Sequence, residues 1–309
     1  MLGPLTQVWM LRLSTSFFLF FLLFFISHIS VRLLTGTTTS QPYRSHLPPE
    51  ILDCIIDLLH DQPETLNQCC LVSKSWVPRT RKHVFAYIEF RGDRAPEAWK
   101  KTFPDPTNSP AHHTHTLSIW CPWAVRVADA EEGGWIRAFS RVTRLEVWGN
   151  DWSSSGSEVS LVPFHNFSPV LKSLEVVSTT IPRSQIIDLV CSLPLLEDLC
   201  VVDDGVGGGD RDPGPALEPS TSPPSNSPPL TGILELYPLY GMEPTTRQLL
   251  GLPNGLHFRK LVWTWCLDED IRWMTALVAE CSDTLECIDI ECRPSGMFLR
   301  SLRLDLCFT

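Results

Sequence analysis

The chain has 309 residues, 43% hydrophobic and 10% aromatic, which is enough apolar material for a sizeable core and too much for a disordered polymer. Its formal net charge of -10 and the lack of a Lys/Arg cluster exclude phosphate-backbone binding as the main activity, so no nucleic-acid partner is expected. Eleven cysteines, without a CxxC pair, include Cys54, Cys70 and Cys281 at positions where an apolar residue would fit a helix; that usage suits a reducing compartment.

Residues 1–36 work against that compartment. Phe17 to Ile26 is an unbroken apolar run of ten, the length of a signal-peptide core and short of the ~20 residues a bilayer span needs. Three readings stay open. A signal peptide would place the rest outside the cell and make Asn166-Phe167-Ser168 a glycosylation acceptor, although Pro169 follows it. A membrane anchor would extend over residues 10–34 and contain Ser27, His28 and Ser30. A gene-model artefact would also explain the Phe, Leu and Ser content, since their codons are pyrimidine-rich, but no Met lies between Met10 and Met242 to restart the chain. The expected location is cytoplasmic or nuclear if this segment is not a functional signal, and membrane-anchored otherwise.

After a polar linker over residues 37–45, residues 46–90 read as three short helices. Pro48 and Pro49 suit a first helical turn, where a missing N–H costs nothing. Leu47, Ile51, Ile55 and Leu59 then recur every four residues beside Leu52, Ile56 and Leu58, opposite an acidic stripe of Glu50, Asp53 and Asp57. Asp61 and Pro63 signal the start of a second helix, with Leu66, Cys69, Cys70, Ser73 and Trp76 on one side, and Pro78 opens a third that carries Val84 and Phe85. Three such helices cannot hide that much apolar surface among themselves, so the first is expected to face something outside the block.

The stretch LPPEILDCIIDLL, followed by TLNQCCLVSKSWVPRTRKHVF, resembles an F-box of the fungal F-box-like family, with its Leu-Pro-x-Glu-Ile opening and Val-Ser-Lys-x-Trp signature. The resemblance covers about 40 of the 309 residues.

From residue 91 onward the rhythm changes. VTRLEV, LKSLEV, LEDLCV, FRKLVW, LECIDI and LRSLRL, with weaker TLSIW and GILEL, follow an L-x-x-L-x-L pattern similar to a leucine-rich repeat. Their central positions 117, 145, 174, 199, 234, 261 and 288 are separated by 28, 29, 25, 35, 27 and 27 residues; the further step to Leu302 is only 14, which suits a terminal cap or a truncated end. A strand that short buries its inward residues only when neighbours stack on it. DEDIRWMTALVAEC supplies one intervening helix, with Asp268 as cap and Ile271, Met274, Val278 and Cys281 inward. The 35-residue step contains the Gly-, Pro- and Ser-rich segment 203–230, expected to be a disordered loop. The outward positions of the repeats carry no recognisable pattern. The expected fold is therefore α+β or α/β, a three-helix block followed by an irregular solenoid of strand–helix repeats over residues 91–309.

Sites for chemistry are not expected. GVGGGD lacks the Lys-Ser/Thr and the helix of a phosphate loop. His112, His113 and His115 lie in a Pro-rich loop with no further ligand spaced to complete a metal shell, so neither metal nor cofactor is expected. Asp268, Glu269 and Asp270 suit a helix start, and no Gly-x-Ser-x-Gly or HExxH is present, so the protein is not expected to be an enzyme. Ser222 and Ser227, each before a proline, are candidate phosphoacceptors. Trp263 and Trp265 share a strand face and read as core.

The F-box resemblance implies a substrate-recognition subunit of a Skp-cullin-F-box type ubiquitin ligase. Its partners would be the S-phase-kinase-associated adaptor, cullin through that adaptor, and an unknown target protein held by the repeats. By the family pattern Leu47, Pro48, Glu50, Ile51, Leu52 and Ile55 would contact the adaptor, with Leu66, Cys70, Val72 and Trp76 organising or extending that surface. Two other roles stay open: an F-box scaffold without ligase function, and a membrane-anchored or secreted repeat protein.

Overall fold

The computed structural model describes residues 48–92, 94–120, 133–149, 161–178, 183–203, 229–238, 243–252, 254–266, 270–292 and 302–307. The hydrophobic segment 1–36, the linker 37–45 and Leu47 lie outside them, as do Ser222, Ser227, Asp268 and Glu269. The chain divides into two units, Met1–Leu52 and Asp53–Thr309, and the boundary falls inside helix α1 (Pro49–Leu58).

In the first unit the carbonyl of Pro48 accepts from the N–H groups of Ile51 (3.0 Å) and Leu52 (3.3 Å). Pro48 thus stands just before the helix rather than in its first turn, and Pro49 takes the first helical position, where a missing donor is harmless.

In the second unit α1 continues into α2 (Pro63–Val72) and α3 (Val77–Val84). Gln62, not Asp61, is the residue before α2, and it makes no side-chain cap; Pro63, fixed at helical φ, sets the start instead. The helix ends at Val72, so Ser73 and Trp76 are connector residues: the Trp76 carbonyl begins α3 by accepting from the N–H (2.9 Å) and hydroxyl (2.8 Å) of buried Thr80. Ile56, Leu59, Leu66 and Cys69 are buried in this block, outside the core beneath the sheet.

The remainder is mixed α/β with one open, predominantly parallel sheet. Its nine strands run in chain order: β1 (Tyr87–Phe90), β2 (Thr116–Ile119), β3 (Arg144–Gly149), β4 (Ser173–Ser178), β5 (Asp198–Asp203), β6 (Leu230–Pro238), β7 (Leu256–Cys266), β8 (Cys287–Cys292) and β9 (Leu302–Cys307). The first eight pair in parallel; β9 returns antiparallel to β8.

The pairing aligns Leu117, Leu145, Leu174, Leu199, Leu234, Leu261 and Ile288 in a single row across seven strands, in spite of the 35-residue step. Ile88 of β1 extends the row by one; its strand, YIEF, lacks the leading leucine of the others and ends the segment assigned above to the helical block. Leu302 does not join the row, because it opens the antiparallel strand opposite Cys292. The 14-residue step is the return of a hairpin rather than a further parallel strand.

Period two puts Phe90, Ile119, Val147, Val176, Val201, Leu236, Trp263 and Ile290 on the same side as that row, and both rows are buried. Trp263 is therefore a core residue, while the side chain of Trp265 is outside the described set. Segments between the strands cover this side: α4 (Ala95–Thr102), 3₁₀ turns at Gly133–Ala138 and Val162–Phe167, α5 (Arg183–Cys191), α6 (Glu243–Leu250) and α7 (Ile271–Glu280). They contribute Ile136, Phe139, Phe164, Phe167, Leu189, Leu249 and Leu277 to the core.

On α7 the apolar stripe is Met274, Leu277, Val278 and Cys281; Ile271, expected inward, is exposed because it sits in the first turn at the edge of that stripe. Asp270 occupies the position before the helix, with no side-chain cap. The segment expected as a loop over 203–230 is bounded by ordered strand: Asp203 ends β5 and Leu230 opens β6, and residues 204–228, GVGGGD among them, lie outside the described set. Among the described residues no helix is long and apolar enough to cross a membrane, and no three His, Cys, Asp or Glu side chains converge as a metal site. His112 instead bonds the Ser109 carbonyl at 2.6 Å and packs on His113.

Candidate functional site: helical surface and uncovered sheet face

The residues expected to meet an adaptor fall into distinct environments. In the first unit Pro48 and Glu50 are exposed, Ile51 is 48% exposed and Leu52 is half-buried. In the second unit Ile55, Cys70 and Trp76 are half-buried, and Val72 is 64% exposed. Leu66 has 0% exposure and lies in the interior of the block. Two residues outside the expected set stand out on the same helices: Leu58 is 78% exposed and Leu71 87%. The 3.6-residue period turns Leu71 away from buried Leu66 and Cys69, and Val72 is the last residue of the helix, so α2 shows an apolar end to solvent.

Asp57 holds α1 to α3. Its Oδ1 accepts from Arg79 Nε at 2.6 Å and lies 2.8 Å from His83 Nε2, while Oδ2 pairs with the other arm of the guanidinium. Hydrogen bonding from Arg79 keeps the Asp57 carboxyl well below the usual carboxylate range, against the opposing effect of burial. Asp57 was legible in the sequence only as part of a solvated acidic stripe, because its partners are 22 and 26 residues away.

The second surface is the sheet side that the helices among the described residues leave uncovered. Strand alternation assigns to it the row Glu89, Ser118, Glu146, Glu175, Cys200, Glu235, Val262 and Asp289, in which five of eight members are acidic and none is basic. Arg144, one row away, bridges two of them, Nε to Glu146 at 2.9 Å and Nη2 to Glu175 at 2.7 Å.

Between β3 and β6 this face forms a cleft of ≈ 440 Å³ lined by Arg144, Glu175, Cys200, Val202, Glu235 and Tyr237, among others. The carboxylates are crowded and partly desolvated, with Glu146 and Glu175 side chains only 14% and 18% exposed. Burial, reinforced by Glu146, pushes the Glu175 carboxyl up. Burial first, then neighbouring carboxylates, pushes the Cys200 thiol and the Tyr237 hydroxyl each up to about 12. Both therefore stay protonated at neutral pH, and the Tyr237 hydroxyl donates to Glu235 Oε2 at 3.2 Å. The cleft offers negative charge and hydrogen-bonding groups rather than a nucleophile.

At the other end of the face, Trp120 and Trp148 stack at 4.4 Å with planes 3° apart, and the Arg91 guanidinium lies 5.2 Å from the Trp120 ring. The outward positions thus carry a pattern that the search for leucine spacing passed over. Its signal was the residue directly after each central position, acidic in IEF, LEV, LEV, LEL and IDI.

The sequon atoms are engaged within the fold: the Asn166 amide donates to the Pro163 carbonyl at 2.7 Å and the Ser168 hydroxyl to the Ser192 carbonyl at 2.6 Å. No family model matches the chain, and neither curated proteins nor solved structures give a match.

Proposed function

We propose that the protein is the substrate-recognition subunit of a Skp-cullin-F-box type ubiquitin ligase, with an F-box in α1–α3 and a leucine-rich-repeat-like sheet that holds the target. The observation that carries the reading is the unspent apolar surface of the helices: Leu58, Leu71 and Val72 face solvent while Ile56, Leu59, Leu66 and Cys69 fill the interior of the block. Two leucines at 78% and 87% exposure on one small helical block support a protein-facing surface there. The repeat reading draws support from the row of eight inward residues at spacings of 25 to 35.

In this role the protein makes and breaks no bonds. It raises the effective concentration of target beside the ubiquitin carrier, converting a bimolecular encounter into an intramolecular one. A cytoplasmic or nuclear site suits Cys54, Cys69, Cys70, Cys191, Cys200 and Cys281, which are free thiols.

Co-precipitation of adaptor and cullin with the full chain tests the reading. Leu47→Ala with Pro48→Ala, and separately Leu58→Asp with Leu71→Asp, are expected to abolish adaptor capture without altering the thermal melt. Adaptor capture retained by both double variants, or no capture by the wild type, refutes it.

A further inference from the structure

We propose that the uncovered sheet face docks an extended, Arg- and Lys-rich polypeptide segment of a target protein, one basic side chain entering the cleft beside Glu175 and Glu235. The inference rests on the reading of the sheet as the target-holding part and supplies the chemistry of what it holds.

Shape argues for a polypeptide. The row from Glu89 to Asp289 crosses eight strands, and at about 4.8 Å per strand it is roughly 34 Å long, the length of an extended segment of about ten residues. A small amine would meet only one stretch of it.

Charge argues for basic side chains. Glu146, Glu175 and Glu235 lie within four neighbouring strands on a partly desolvated surface, where like charges repel more strongly than in water. Arg144 offsets the first two, whereas among the described residues Glu235 forms no salt bridge and accepts the 3.2 Å hydrogen bond from the Tyr237 hydroxyl. Burial first, and then the neighbouring Glu146, raises the Glu175 carboxyl.

The face also shows which cation geometry it accepts, through aromatic rings as well as carboxylates. Its own guanidinium groups occupy two kinds of seat, Arg144 between carboxylates and Arg91 on the Trp120 ring, and the Trp120–Trp148 stack extends the aromatic seat to a second ring. Val202 and the Tyr237 ring beside the carboxylates would cover the aliphatic stem of an incoming Arg or Lys.

The test is fluorescence anisotropy on the full chain, with a fluorescein-labelled ten-residue peptide of alternating Arg and Ser as probe and a Glu/Ser peptide as control. The Arg/Ser peptide is expected to bind at least tenfold more tightly than the control, and progressively less tightly from 50 to 500 mM NaCl. Glu175→Gln with Glu235→Gln is expected to weaken it at least tenfold. Glu97→Gln with Glu280→Gln removes the same charge from exposed helical positions and is expected to leave it within twofold. Equal binding of the two peptides, or equal loss in the two double variants, overturns the inference, the latter by showing attraction to net charge alone. The salt and control-peptide results use the wild-type chain and stand even if a variant does not fold. Peptide discrimination without adaptor capture would sink the ligase reading and leave this one; adaptor capture without peptide discrimination would do the reverse.

Discussion

Gly232 is where β6 recovers its register after the longest step between strands, and replacing it with alanine should unsettle both the sheet and the cleft. Its φ is +90°, and a Cβ placed there would lie 1.8 Å from the Glu197 carbonyl oxygen and 2.7 Å from its carbon. That oxygen accepts the Ile233 N–H at 2.7 Å, the bond that starts β6 against β5. On the other side the pairing of β6 with β7 shifts between Gly232 and Ile233, so that Ile233 meets Lys260 and Leu234 returns to its place opposite Leu261. An L-residue in the left-handed region costs about 1–2 kcal/mol, and loss of one ladder bond adds about 1 kcal/mol, giving a destabilisation of about 2–3 kcal/mol. At a urea slope of about 3 kcal/mol/M the unfolding midpoint should fall by roughly 1 M. Gly92→Ala is the control: its φ is +77° but nothing lies within 4 Å of the added carbon, so it should show the conformational cost alone. Urea melts followed by tryptophan fluorescence measure both. Equal midpoints for the two variants would refute the steric argument, and a Gly232→Ala midpoint equal to wild type would refute the register argument as well.

Leu145 has 0% exposure in the middle of the inward row, so Leu145→Ala should cost about 2–5 kcal/mol in the same melts, whereas Leu58→Ala, at 78% exposure, should stay within about 0.5 kcal/mol; similar costs for the two would mean that one of the surfaces is misassigned. Asp57 gives a pH signature. Its folded carboxyl is more acidic than the ordinary value of 3.8, so the Asp57–Arg79 contact stabilises the fold above that pH, and the contribution is lost as pH falls toward the folded value. Asp57→Asn should therefore melt below wild type at pH 6, with the gap unchanged down to about pH 4 and narrowing progressively below 3.8; a gap that does not narrow between pH 4 and pH 2 contradicts the assignment.

The sequence by itself determined the positions that repeat. Spacings of 25 to 35 between leucines, each followed two residues on by another apolar residue, are a local property of strands with one buried side, and Leu117 through Ile288 fall in one row without exception. The helical block was legible for the same reason, since Pro49 and Pro63 mark helix starts through a bond that local geometry makes unnecessary. Tertiary structure decided which of those apolar residues are spent. Leu66 and Leu71 stand five residues apart on one helix with identical side chains, yet one is sealed and the other 87% exposed, because burial depends on neighbours that the local pattern does not contain. It also decided what the carboxylates become. Glu146, Glu175 and Glu235 are separated by 29 and 60 residues in the chain and read singly as polar strand positions; parallel pairing sets Glu146 beside Glu175 and brings Glu235 to the far side of Cys200, and their proximity on a partly desolvated face, set by the pairing of distant segments, concentrates negative charge there.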